Sequence, residues 1–183
     1  ETRNVTGFTK VEANAGTDVE VTIGSAFHVE VTGRDAARIQ TRISGDTLVV
    51  EPVRGWPWRG PRQANIHVTM PRVDGLSAAS GADLVATGVN GGAIALESSS
   101  GADLRVSGTC ATFSADASSG ADLNAQNLLC ESGSVDVSSG ADARVHAAAH
   151  EAADVELPIL GALAKEPSLS QRELAQRAGL SLT

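Results

Sequence analysis

The stretch SSGADL at residues 118–123 decides the fold of this chain, because the chain repeats it. It stands as SSSGADL at 98–104 and SSGADA at 138–143, with a further copy, ASGADL, at 79–84. The glycines Gly81, Gly101, Gly120 and Gly140 follow one another at intervals of 20, 19 and 20 residues. A fixed period of this length belongs to stacked-repeat architectures. On either side of each glycine the alternation has period two. Three and five residues after it stand Leu84/Ala86, Leu104/Val106, Leu123/Ala125 and Ala143/Val145. Five and three residues before it stand Leu76/Ala78, Leu96/Ser98, Ala115/Ala117 and Val135/Val137. Small and aliphatic residues alternating with polar ones make strand, corner, strand, with one face buried.

The expectation is therefore all-β: a single-stranded parallel β-helix, or β-solenoid, with coils of about 20 residues stacked at ~4.8 Å. The glycine is expected at the corner because a Cβ would obstruct it. The serine before it and the aspartate two residues on are expected to bond corner backbone. The same register appears earlier. VEANAGTDVEV at 11–21 sets Val11, Ala13, Gly16, Asp18, Val19 and Val21 at matching offsets. Between the two, FHVEV (27–31), RIQTRI (38–43), TLVVE (47–51) and NIHVTM (65–70) alternate as strands, separated by TGRD, SGD and a Pro/Gly-rich loop. Residues 1–75 are thus expected to be β structure continuous with the solenoid, with one long excursion.

Composition agrees with a narrow interior. The 183 residues include no Tyr, three Phe and two Trp, so wide spaces cannot be filled with large rings. The net charge of −8 argues against nucleic acid as a partner of the whole chain, since phosphate binding needs a cationic surface. Residues 81–145 carry eight acids and two bases, whereas residues 1–80 carry nine of each, so the acidity belongs to the repeats. No apolar run approaches the ~20 residues that span a bilayer. The chain opens on Glu1 without a signal peptide, as a processed mature protein or a trimmed chain would, which says nothing against export.

The residues quoted also carry a family resemblance. RNVTGFTKVEANAGTDVEVTIG (3–24), SGDTLVVEP (44–52), a Trp-containing loop, HVTMPRVDGLSAASGAD (67–83) and the recurring S-G-A-D phrase together resemble the head GIN domain family, the autotransporter-adhesin head domain of bacterial envelopes. The resemblance covers residues 3–147. It implies an exported, solenoid-like, non-enzymatic protein of the periplasm, outer membrane or cell surface, with an adhesive or scaffolding role. It brings no catalytic residues.

Candidate chemistry is sparse. Asp83, Asp103, Asp122 and Asp142 should form a column along one edge, with Asp18 as an extra rung. The column serves corner hydrogen bonding, or it shares Ca²⁺ between rungs with help from Glu97, Asp116 and Asp136. In the second case calcium would raise the melting temperature. The calcium-binding Gly-Gly-x-Gly-x-Asp repeat is absent. A polysaccharide-active enzyme would need two carboxylates in different environments, and equivalent repeats do not provide them. The loop VRGWPWRGPR at 53–62 sets Arg54, Arg59 and Arg62 around Trp56 and Trp58. Aromatic faces with guanidinium groups suit envelope or host glycans, or other surface proteins; the alternative is that the tryptophans cover an exposed sheet edge. His28, His67, His146 and His150 show no three-ligand metal spacing. Cys110 and Cys130 each lie ten residues before a repeat glycine and should be stacked neighbours, either bonded as an exported disulfide or packed as thiols. A homo-oligomer is compatible with all of this.

After residue 150 the character changes. Residues 1–150 read as the solenoid domain and residues 151–183 as a helical tail. Pro158 suits a helix start, Ser170 with Glu173 makes a capping box stapled by Leu169 and Leu174, and Gly179 stops the helix. PSLSQRELAQRAGLS (167–181) resembles part of a MarR-type winged helix-turn-helix. The recognition helix would follow Ser181, and the sequence reaches only Thr183. The segment is read as a fused or truncated reading frame or as a helical cap on the solenoid, and a DNA-binding regulator is the alternative function that it raises.

Overall fold

The computed structural model describes residues 1–55 and 63–147. The described chain is all-β apart from one 3₁₀ turn, Ala36–Arg38, and its strands join one sheet. In chain order they are β1 (Thr2–Arg3), β2 (Lys10–Asn14), β3 (Asp18–Ile23), β4 (His28–Thr32), β5 (Ile39–Ser44), β6 (Thr47–Pro52), β7 (Asn65–Met70), β8 (Gly75–Ala79), β9 (Asp83–Ser99), β10 (Asp103–Ser118), β11 (Asp122–Val137) and β12 (Asp142–Ala147). The expected helical tail, 151–183, lies outside the described residues.

The repeats stack in parallel and in register. Leu84, Leu104 and Leu123 are successive partners, and so are Leu96, Ala115 and Val135. The matching offsets at 11–21 also pair as the sequence implies: Val11 with Leu76, Ala13 with Ala78, Asp18 with Asp83, Val19 with Leu84. Inward side chains of these rungs are buried down to Leu123 and Ala125, and even the inward Ser98 is buried, its Oγ donating to the Ala102 carbonyl at 2.9 Å.

Three features differ from the sequence expectation. First, residues 1–75 do not coil continuously. β6 and β7 lie parallel to β2 and β3, but β4 runs antiparallel to β7, β5 antiparallel to β6, and β1 antiparallel to β4. The physical reason is short connection: β5 and β6 are joined by Gly45-Asp46, with Gly45 at φ +62°, and a two-residue link can only reverse the chain.

Second, the corners are closed by backbone. The amides of Ala82, Ala102, Ala121 and Ala141 donate to the carbonyls three residues earlier, at 3.2–3.3 Å. Both central residues have positive φ, Ser80 at +57° and Gly81 at +70°, with the same pair at the other three copies and at Ala15-Gly16. These are type I′ turns. An added Cβ at Gly81, Gly101, Gly120 or Gly140 would meet nothing within 4 Å, so these glycines serve φ and not space. Neighbouring corners are then stitched by backbone bonds such as Gly101 N–H to the Ser119 carbonyl at 3.1 Å.

Third, β9 and β10 each turn a second bend, which the repeat phrase does not announce. Gly88 has φ +70° and Gly108 φ +139°, and a Cβ on Gly108 would sit 2.1 Å from the Val89 carbonyl oxygen. The register shifts at this bend, between Val106 and Gly108 against β9 and between Arg105 and Ser107 against β11. The 19-residue repeat gives up its missing residue here, leaving corner and inward columns aligned.

Candidate functional site

The acidic column exists as a row of register partners: Asp18, Asp83, Asp103, Asp122 and Asp142, continued beyond Asp18 by Asn65. Asp83, Asp103, Asp122 and Asp142 place their backbone amides in the ladder. Asp103 N–H, for example, donates to the Ala82 carbonyl at 2.9 Å. Among the described residues no carboxylate of the row accepts a corner amide, so the expected capping role gives way to an outward-facing one. Arginines two residues on partly balance the row. Arg144 Nη1 lies 3.0 Å from Asp122 Oδ1, and Arg105 Nη2 lies 3.9 Å from Asp103 Oδ2. Such exposed pairs contribute little each, about 0–1 kcal/mol. Asp83 is the member that differs: desolvation, then its hydrogen bond to Asp103 and the charges of Asp103 and Asp18, raise its carboxyl above the ordinary range, against Arg105. A second acidic row, Glu97, Asp116 and Asp136, runs along the strands before the corners. Among the described residues no three acid, His or Cys groups converge closely enough to hold a metal ion.

Where the first row meets β7, a groove of about 320 Å³ is lined by Asp18, Glu20, Asn65, His67, Asp83 and Val85. His67 Nδ1 lies 3.0 Å from Glu20 Oε2 across it. His28, on β4 beside the strand of His67, stands opposite Thr69, His146 is on β12, and His150 lies outside the described residues. Sequence reasoning found Asp18 and Asp83 through their shared offset and missed Asn65 and His67. Nothing in the local pattern of 65–70 says that it lies beside β3.

Of the Trp/Arg loop, Arg54 is described and exposed; Trp56, Trp58, Arg59 and Arg62 lie outside the described residues. The register nevertheless fixes where the loop departs. Val50 pairs with Ala13 and Asn65 pairs with Asp18, so the strands on either side of the loop, β6 and β7, lie beside β2 and β3.

Cys110 and Cys130 are register partners, their Cα atoms 4.6 Å apart, and the structure joins their sulfurs in a disulfide.

Residues 7–158 match the family described as "Putative auto-transporter adhesin, head GIN domain". The chain belongs to the head GIN domain family. Residues 155–183 match a second description, "Winged helix-turn-helix DNA-binding". No protein of curated function matches in sequence. Among solved structures, a putative adhesin of Bacteroides fragilis is similar at 13% identity and TM-score 0.56, over 81% of this chain and 95% of that one. A putative adhesin of Parabacteroides distasonis is similar at 14% identity and TM-score 0.52, over 80% and 81%. One of Parabacteroides merdae is similar at 11% identity and TM-score 0.50, over 80% of each chain. At such identities the likeness speaks for the fold. In this head GIN domain, no helix among the described residues is long and apolar enough to cross a membrane.

Proposed function

We propose that this head GIN domain is a non-enzymatic, surface-displayed binding module built as a β-solenoid, exported to the envelope or cell surface. The observation that carries the reading is the stacking itself. Successive rungs present equivalent outward side chains in rows, a design for extended contact rather than for one reaction centre. The Arg54, Trp56, Trp58, Arg59 and Arg62 loop is the recognition element, its aromatic faces and guanidinium groups suited to envelope or host glycans, or surface proteins, as partners. A calcium ion shared between rungs of the aspartate row would assist such contact, and a homo-oligomer would multiply it.

A glycan-array screen of the whole chain beside Trp56→Ala/Trp58→Ala tests the loop. Binding by the wild type that the double variant loses is the expected result; equal binding by both removes the loop from the reading. Calcium is checked in the same samples, because millimolar calcium should raise the melting temperature if rungs share the ion.

The match of residues 155–183 to a winged helix-turn-helix favours a second reading, a DNA-binding regulator. Salt-sensitive retardation of duplex DNA by the full chain would support it. Release of reducing sugar from envelope glycans would instead favour a polysaccharide-active enzyme.

A further inference from the structure

The second half of β11 is held differently from the half-rungs before it. Residues 131–137 pair with β10 on one side, Ser132 with Thr112 through Val137 with Ala117. Among the described residues they have no partner on the other. Every residue from 131 to 140 is exposed, including Val135 and Val137, whose equivalents on β10, Ala115 and Ala117, are 2% exposed. Ser132, Gly133 and Ser134 bring little side chain to the contact. Gly133 lies directly under the Phe113 ring, close enough that a Cβ would stand 2.1 Å from it, so this backbone is what covers Phe113. The segment is pinned at its two ends. After it, Ser138 N–H bonds the Ala117 carbonyl at 3.0 Å and Gly120 N–H bonds the Ser139 carbonyl at 3.1 Å. Before it stands Cys130, bonded to Cys110. One rung earlier the partner of Cys110 is Gly91, so the covalent link ties these two rungs alone.

We propose that the Cys110–Cys130 disulfide is a redox-sensitive strap: oxidised, it holds residues 131–137 over β10; reduced, it releases them and opens the edge 112–118. The strap opens by thiol–disulfide exchange with a dithiol reductant. A thiolate of the dithiol attacks one sulfur, forming a mixed disulfide and expelling the other cysteine as thiolate. The second thiol of the reductant then displaces the remaining cysteine. The dithiol gives up two electrons and two protons and ends as a cyclic disulfide, and both cysteines end as thiols. Cys110 is 8% exposed and Cys130 2%, so attack waits on a local opening of this end. The released edge would present unpaired β10 backbone flanked by Phe113, Ala115 and Ala117, an acceptor for an incoming strand.

The proposal rests on the bond being formed, and the experiment separates the two questions. Intact mass of the unreduced full chain after alkylation under denaturing conditions comes first. No added alkyl group is expected; two would overturn the proposal at its base. Hydrogen exchange is then followed by mass spectrometry for oxidised protein, dithiothreitol-reduced protein and Cys110→Ser/Cys130→Ser. Exchange should quicken at least about tenfold over 131–140 and 112–118 on reduction, while 84–99 stays as protected as before. Equal exchange in the oxidised and reduced states overturns the strap, as does loss of protection at 84–99 in the same step, which means collapse of the whole rather than release of an end. If the double variant fails to fold, reduced wild type alone decides.

Discussion

One inward column of side chains runs through Leu48, Val11, Leu76, Leu96, Ala115 and Val135, and its two ends live in different surroundings. At the near end β5 returns antiparallel along β6 and sets Ile43, itself 39% exposed and outside the repeats, opposite Leu48, so that Leu48 and Val11 are fully covered. At the far end Val135 is 38% exposed although it occupies the position at which Leu96 is 0% exposed. A repeat cannot close itself: every rung buries its neighbour, and the outermost one has nothing beyond it. Non-repeated sequence, residues 1–75, supplies the antiparallel strands at one end. Within the described residues the other end stops on a repeat.

The largest expected effect breaks the comparison inside the stack. Gly108→Ala should destabilise by about 4 kcal/mol, combining backbone strain at φ +139° with a Cβ driven onto the Val89 carbonyl. Gly101→Ala, at an open corner, should cost only about 1 kcal/mol. Urea unfolding of the pair checks this, and similar losses would mean that φ alone governs both. Next comes the column. Leu96→Ala should cost about 3 kcal/mol, whereas Val135→Ala should cost less than about 1 kcal/mol because much of its surface never leaves water. Equal losses would show that the far end is covered in solution.

The smallest effect is electrostatic. The Asp83 carboxyl is raised, so between its ordinary value of 3.8 and its higher folded value the folded chain binds more protons than the unfolded one. Stability is therefore lost as pH rises through that window, and the penalty remains above it. Asp83→Asn should raise the melting temperature at neutral pH and leave it unchanged below about pH 3, where both states are protonated. A variant that melts lower at neutral pH would mean that the charge is held by a partner, calcium included.

What the sequence disclosed follows the same division. The inward rows, the partnership of Cys110 with Cys130 and the extra rung at Asp18 were all legible, because a period of about 20 and an alternation of two place them without knowledge of anything distant. The chemistry of the corners was misjudged. Ser and Asp are the usual side-chain bonders of turns, but here Ser80 and its equivalents accept positive φ themselves and Asp83 points along an open row. The groove with Asn65 and His67 was not legible, since it depends on β7 lying beside β3 across 47 residues of chain, Asp18 against Asn65.

The bend at Gly88 and Gly108 has a consequence for how such a chain tolerates insertion and deletion. One residue fewer between Gly101 and Gly120 has left Asp103 beside Asp122 and Cys110 beside Cys130. The bend is the fold's expansion joint: a codon gained or lost there changes the length of a unit while both ruled faces keep their alignment. A deletion of one residue between an inward leucine and its corner has no such slack, for it would turn every following side chain on that strand to the opposite face.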